Sequence, residues 1–126
     1  MKFRTALNNV RGLGSAKSGT EHFWMQRVSA LALVPLMIWL CWSIICLAGL
    51  DYAGALAWVA SPTTAVLLIC TLVALYYHGY LGLQVIIEDY VHAEGLKFTS
   101  LIVLRFVSVL LALASVLAVL RISLAG

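Results

Sequence analysis

Three apolar runs, about residues 28–50, 65–87 and 101–124, take up more than half of this chain. Each is long enough for an α-helix to cross a hydrocarbon layer, which needs about 20 residues. Inside that layer no water satisfies backbone N–H and C=O groups, so spanning segments must bond internally, as helices do. The chain has 126 residues, of which 63% are hydrophobic and 10% charged, and its mean hydropathy is +1.04. A soluble domain of this size has too much surface per unit volume to hide that much apolar area. The expected fold is an all-α membrane protein with three transmembrane helices, forming a single membrane-anchor domain over 1–126.

Basic residues set the expected orientation. Lys2, Arg4, Arg11, Lys17 and Arg27 precede the first run, the stretch from Asp51 to Pro62 has no Lys or Arg, and Lys97 and Arg105 flank the second connector. Residues 1–27 are therefore expected in the cytoplasm and the C-terminus on the opposite side. The net charge of +3 is a topology signal, and no nucleic-acid motif accompanies it. Residues 1–20, basic and free of acids, have the composition of a targeting segment. The following run is too long for a signal-peptide core, and an uncleaved bacterial N-terminus is the reading favoured. Cys41, Cys46 and Cys70 lie within the spans without metal-ligand spacing and read as packing residues.

The short stretch Asp51–Ser61 reads as a connector anchored by Tyr52 and Trp58, and Ser61-Pro62 as N-cap and first residue of span two. Glu88–Ser100 reads as the second connector, with Thr99 or Ser100 capping span three. Pro35 removes a backbone donor and predicts a kink in span one. Trp39 and Trp42 lie too deep for an interfacial belt and are expected to pack against protein. Arg105 is expected to snorkel back to the interface.

His78 is the one histidine at depth in an apolar run, and an imidazole there is costly unless paired or coordinated. Two readings stand on the residues alone: an axial ligand for haem iron, or a histidine hydrogen-bonded to a neighbouring helix. Asp89 follows eleven residues later, within ~20° of the same helix face and ~16 Å further along the axis. Glu88 and Asp89 end the span, where the helix dipole disfavours acids, so Asp89 calls for a compensating role. Tyr90 is a phenol at the membrane–water boundary, suited to an interfacial belt or to donation to a quinone carbonyl. Arg27 and His22 stand before span one, where they can bind lipid phosphate or the propionates of a haem.

The segment His78-Gly-Tyr-Leu-Gly-Leu-Gln-Val-Ile-Ile-Glu-Asp89-Tyr90-Val-His92 resembles the signature of the hydrophobic membrane-anchor subunits of succinate dehydrogenase, respiratory complex II. The lead-in His22-Phe-Trp-Met-Gln-Arg27-Val-Ser is similar as well, and the resemblance covers nearly the whole chain. It implies a subunit without independent catalysis, in a bacterial inner membrane more than a mitochondrial one. The implied partners are a second membrane-anchor cytochrome b subunit, an iron–sulfur subunit and a flavoprotein subunit. On this resemblance, His78 ligates a b-type haem shared with the second anchor, and Arg27 and His22 lie by its propionates. Tyr90 bonds ubiquinone, with Asp89 beside it. The rival readings are a small channel or transporter gated by His78, weakened by the lack of an inverted repeat, and an anchor that is structural only.

Overall fold

The computed structural model describes residues 17–125, and these residues form four helices. They are α1 (Lys17–Leu47), α2 (Tyr52–Ala60), α3 (Pro62–Tyr90) and α4 (Glu94–Ala125). Three of them, α1, α3 and α4, are long and apolar enough to cross a membrane. At 1.5 Å per residue these helices are ~44–48 Å long, which exceeds the hydrocarbon core and reaches the headgroup layers at both ends. The targeting reading of residues 1–20 rests mainly on residues 1–16, with Lys2, Arg4 and Arg11, and so lies outside the described residues.

The helices outrun the apolar runs, and this corrects two expected boundaries. Span two continues to Tyr90 and α4 opens at Glu94, which leaves only Val91–Ala93 as connector in place of Glu88–Ser100. Neither Thr99 nor Ser100 caps a helix. Thr99 lies inside α4, and its hydroxyl donates to the carbonyl of Gly95 at 2.8 Å. Apolar content marks where the hydrocarbon stops, whereas a helix continues through the polar headgroup zone as long as its backbone bonds. Glu94 in the first turn favours this start, because an acid stabilises a helix N-terminus.

The stretch Asp51–Ser61 also differs from a plain connector, because Tyr52–Ala60 is the helix α2. The Asp51 side chain caps it, accepting from the Gly54 backbone N–H at 2.8 Å. A Cβ at position 54 would come within 3.2 Å of both Asp51 Oδ1 and Leu50 Cβ, so glycine lets the cap close. With nine residues, α2 is too short to span, and it packs against α3 and α4. Ser61 and Pro62 open α3 at the expected positions, though the Ser61 side chain makes no cap bond. Pro35 sits within α1, whose helix continues through it.

The central helix is α3, which packs against both α1 and α4. Connections this short make the successive spans antiparallel. The seams use small and hydroxyl side chains: the buried residues are Leu33, Ala65, Leu81 and Val119 together with Ser29, Ser43, Thr64 and Thr71. Small residues let membrane helices approach closely without relying on exclusion of water. On α1 the inward-facing positions include His22, Gln26, Ser29, Leu33, Leu36, Leu40 and Ser43, alternating by four and three. On α3, Thr64, Thr71 and His78 recur every seven residues, which puts the imidazole in the seam that the two threonines begin.

The deep tryptophans divide. Trp39 stacks on Trp58 of α2, with ring centroids 5.8 Å apart at 21°, while Trp42 is 69% exposed. Within this chain, packing against protein holds for the first only, and Trp58 serves as more than an interfacial anchor. For the cap, Asp51→Ala is expected to destabilise α2 by about 1 kcal/mol. Faster amide hydrogen exchange at residues 52–54, with exchange in α3 unchanged, would show it.

Candidate functional site

His78 faces α1 across the helix seam, and its Nδ1 lies 3.0 Å from the hydroxyl oxygen of Ser29. Ser29 is 7% exposed and its hydroxyl donates back to the Gln26 carbonyl at 3.0 Å. The other ring nitrogen of His78, Nε2, has no hydrogen bond to the described residues and is not sealed off by them. One nitrogen is thus held by the protein while the other is presented at the flank of the bundle, an arrangement usual for metal-binding histidines. A Cβ built at Gly82, one turn on from His78, would meet nothing within 4 Å, nor would one at Gly79. The helix surface beside the imidazole therefore has room for a flat group.

His22 lies on the same face of α1, seven residues before Ser29, which is within ~20° and ~10 Å along the axis. Its Nε2 is buried and has no hydrogen-bond partner among the described residues, an unmet need for an acceptor or donor at that point. Asp89 ends the matching face of α3, and both Asp89 and Tyr90 are exposed, Tyr90 at 77%. The Tyr90 hydroxyl has no bond to the described residues. The ordering from depth to boundary is therefore His78 with Ser29, then His22, then Asp89 and Tyr90.

Arg27 departs from that face. Five residues separate it from His22, which puts the two ~140° apart around α1. Its guanidinium lies 4.8 Å from the centre of the Phe23 ring, and it is exposed, without a carboxylate partner among the described residues. Among those residues no three His, Cys, Asp or Glu side chains come together to hold a metal ion.

The opposite flank of α3 carries contacts that the residue pattern did not reveal. Arg105 donates through Nε to the Tyr80 hydroxyl at 3.3 Å and sits 6.0 Å from that ring's centre. Tyr76 meets Ser115 at 3.0 Å. Between α3 and α4, Tyr76, Tyr80 and Arg105 line an apolar groove of about 410 Å³ on the face turned away from His78. Ser29 is the residue of the site that sequence reasoning missed. It follows Arg27 by two positions, yet only the packing register of α1 on α3 shows that it meets His78.

Residues 1–112 match the family model for the succinate dehydrogenase/fumarate reductase transmembrane subunit. The chain belongs to this family. It is 32% identical to the succinate dehydrogenase hydrophobic membrane anchor subunit of Rickettsia bellii, over 93% of this chain and 94% of the relative. The subunit of the same name from Paracoccus denitrificans is 31% identical over 71% of this chain and 70% of its own. A succinate dehydrogenase membrane anchor subunit of Reclinomonas americana is 30% identical over 74% and 80%. No solved structure matches the chain. The family reading made from the His78–His92 segment is thus shown, as are the all-helical fold of the described residues and the three helices long and apolar enough to cross a membrane.

Proposed function

We propose that this chain is the membrane-anchor subunit of a succinate:ubiquinone oxidoreductase in a bacterial inner membrane, and that it holds one side of a b-type haem and part of the ubiquinone site. The observation that carries the haem reading is the His78 imidazole, gripped at Nδ1 and open at Nε2 beside a helix surface with room for a planar group. The Nε2 of half-buried His22 supports it, because a propionate carboxylate would supply the partner that this nitrogen lacks among the described residues. The donor set therefore fits a haem. When bound, the haem stores and passes single electrons.

His78 Nε2 would hold the haem iron from this chain, and a histidine of the second anchor subunit would hold it as well, since no other deep histidine is available in this chain. Arg27 would reach a propionate from the boundary, where its guanidinium offers a bidentate fork and has no acid of its own. The basic residues orient the Arg27 end toward the cytoplasm, where the iron–sulfur and flavin subunits would dock. Tyr90 and Asp89 stand at that same end. A ubiquinone enters from lipid and gains two electrons and two protons, so its head group belongs where hydrocarbon gives way to water. Tyr90 would donate to one quinone carbonyl, and Asp89 would hold a partner's cation or pass protons inward.

Three substitutions test these assignments in the assembled complex. His78→Leu is expected to abolish or alter the low-spin haem spectrum while the subunit still inserts; an unchanged spectrum contradicts ligation. Arg27→Lys keeps the charge but loses the planar fork. It should lower haem affinity and shift the haem potential, and unaltered values would return Arg27 to lipid phosphate. Tyr90→Phe keeps the ring and removes the donor. Succinate oxidation with a soluble dye should persist, while ubiquinone reduction falls roughly ten- to hundred-fold, the weight of one hydrogen bond that strengthens as charge develops. Equal loss of both activities would mean failed assembly, and loss of neither would leave Tyr90 an interfacial anchor.

A further inference from the structure

We propose that Ser29 is the positioning residue for His78: it accepts a hydrogen bond from Nδ1–H, which holds the proton on that nitrogen and leaves Nε2 as a bare lone pair ready for iron. The inference rests on the haem reading above and follows from counting hydrogens. A serine hydroxyl has one proton. The Gln26 carbonyl can only accept, and Ser29 donates to it at 3.0 Å. That commits the hydroxyl proton, so the 3.0 Å contact between Ser29 Oγ and His78 Nδ1 needs its hydrogen from the imidazole. A neutral imidazole has a single N–H. With that proton on Nδ1, Nε2 is unprotonated and can bind a metal.

The alternative arrangement is the one the local geometry disfavours. Were Ser29 to donate to Nδ1, the Gln26 carbonyl would lose its side-chain partner and Nε2 would carry the proton, which blocks ligation. Ser29 is buried at 7% exposure in the helix seam, so bulk water does not readily exchange for either bond. Accepting the Nδ1 proton also has an electronic consequence. It places more electron density on the ring and makes Nε2 a stronger donor, as carboxylates and carbonyls do behind metal-binding histidines. Stronger donation favours ferric over ferrous iron and so lowers the haem potential. Because Ser29 is on α1 and His78 on α3, the same bond also fixes the register of the two helices.

The test is made on the purified complex with wild-type, Ser29→Ala and Ser29→Thr anchors, reading the haem midpoint potential, the ferric low-spin electron paramagnetic resonance spectrum and haem affinity. Ser29→Ala should raise the potential, change the g values and weaken haem binding roughly ten- to hundred-fold, the range typical of lost partners behind a metal-binding histidine. Ser29→Thr keeps a hydroxyl able to bond back to its helix and should restore wild-type values. A residue that merely packs would leave potential and g values unmoved, and that result in an assembled alanine variant overturns the inference. Should alanine prevent assembly, Ser29→Cys offers a similar shape with a weaker acceptor. An intermediate potential supports the proposal and a wild-type one overturns it. The haem reading fails separately: a wild-type complex without a haem band, or one whose band survives His78→Leu, removes the site itself.

Discussion

The structure depends on how polar side chains are accommodated between membrane helices where water cannot serve them. Ser29, Thr71 and Ser115 each donate their one hydroxyl proton to a carbonyl of their own helix, at 3.0, 2.7 and 2.7 Å. Such local bonding satisfies the donor and leaves oxygen lone pairs able to accept. On each side of α3 a ring from that helix meets one of these oxygens. His78 meets Ser29 on α1, and Tyr76 meets Ser115 on α4. The Ser115 proton is committed to Leu111, so Tyr76 is the donor there, by the same count that makes His78 the donor to Ser29. The central helix is thus pinned to both neighbours by one device used twice. Only the histidine has a second nitrogen left over for chemistry.

What remains outside those seams is apolar and open. Leu31, Ile38, Trp42 and Ile45 on α1, and Phe106, Leu110 and Leu113 on α4, are all more than 60% exposed. In a membrane these surfaces meet lipid tails or a partner's helices, and neither carries the penalty that water would impose. This suits a chain that supplies part of a site and needs another subunit to close it. His78 presents Nε2 at the flank of the seam between α1 and α3, and His22 lies along the same seam with no partner for its Nε2 among the described residues.

Much of this was legible in the amino-acid sequence, and the failures have physical causes. The three spans were readable because bilayer thickness translates directly into run length. Their ends were not, since a helix persists into the headgroup layer where polar residues such as Glu94 and Lys97 are at ease. The helix α2 escaped notice because it is shorter than any span and its sequence reads as interfacial. The shared face of His78 and Asp89 was readable, being fixed by 3.6 residues per turn within one helix. The pairing of His78 with Ser29 was not, because the register between two helices is set by seam packing that no single segment encodes. His22 and Arg27 stood together as neighbours in the chain, whereas the helix separates them by ~140° and leaves only His22 facing the seam.

The central claim is that one imidazole of this chain and one from a partner subunit bind the same haem iron. Near-infrared magnetic circular dichroism of the oxidised native complex tests it most directly, because the charge-transfer band of low-spin ferric haem reports the pair of axial ligands. The account predicts a band of the two-imidazole type at one haem per copy of this chain. A complex that is fully assembled and active but shows no haem, or a haem whose band signals a thiolate, a thioether or a single histidine, would contradict it.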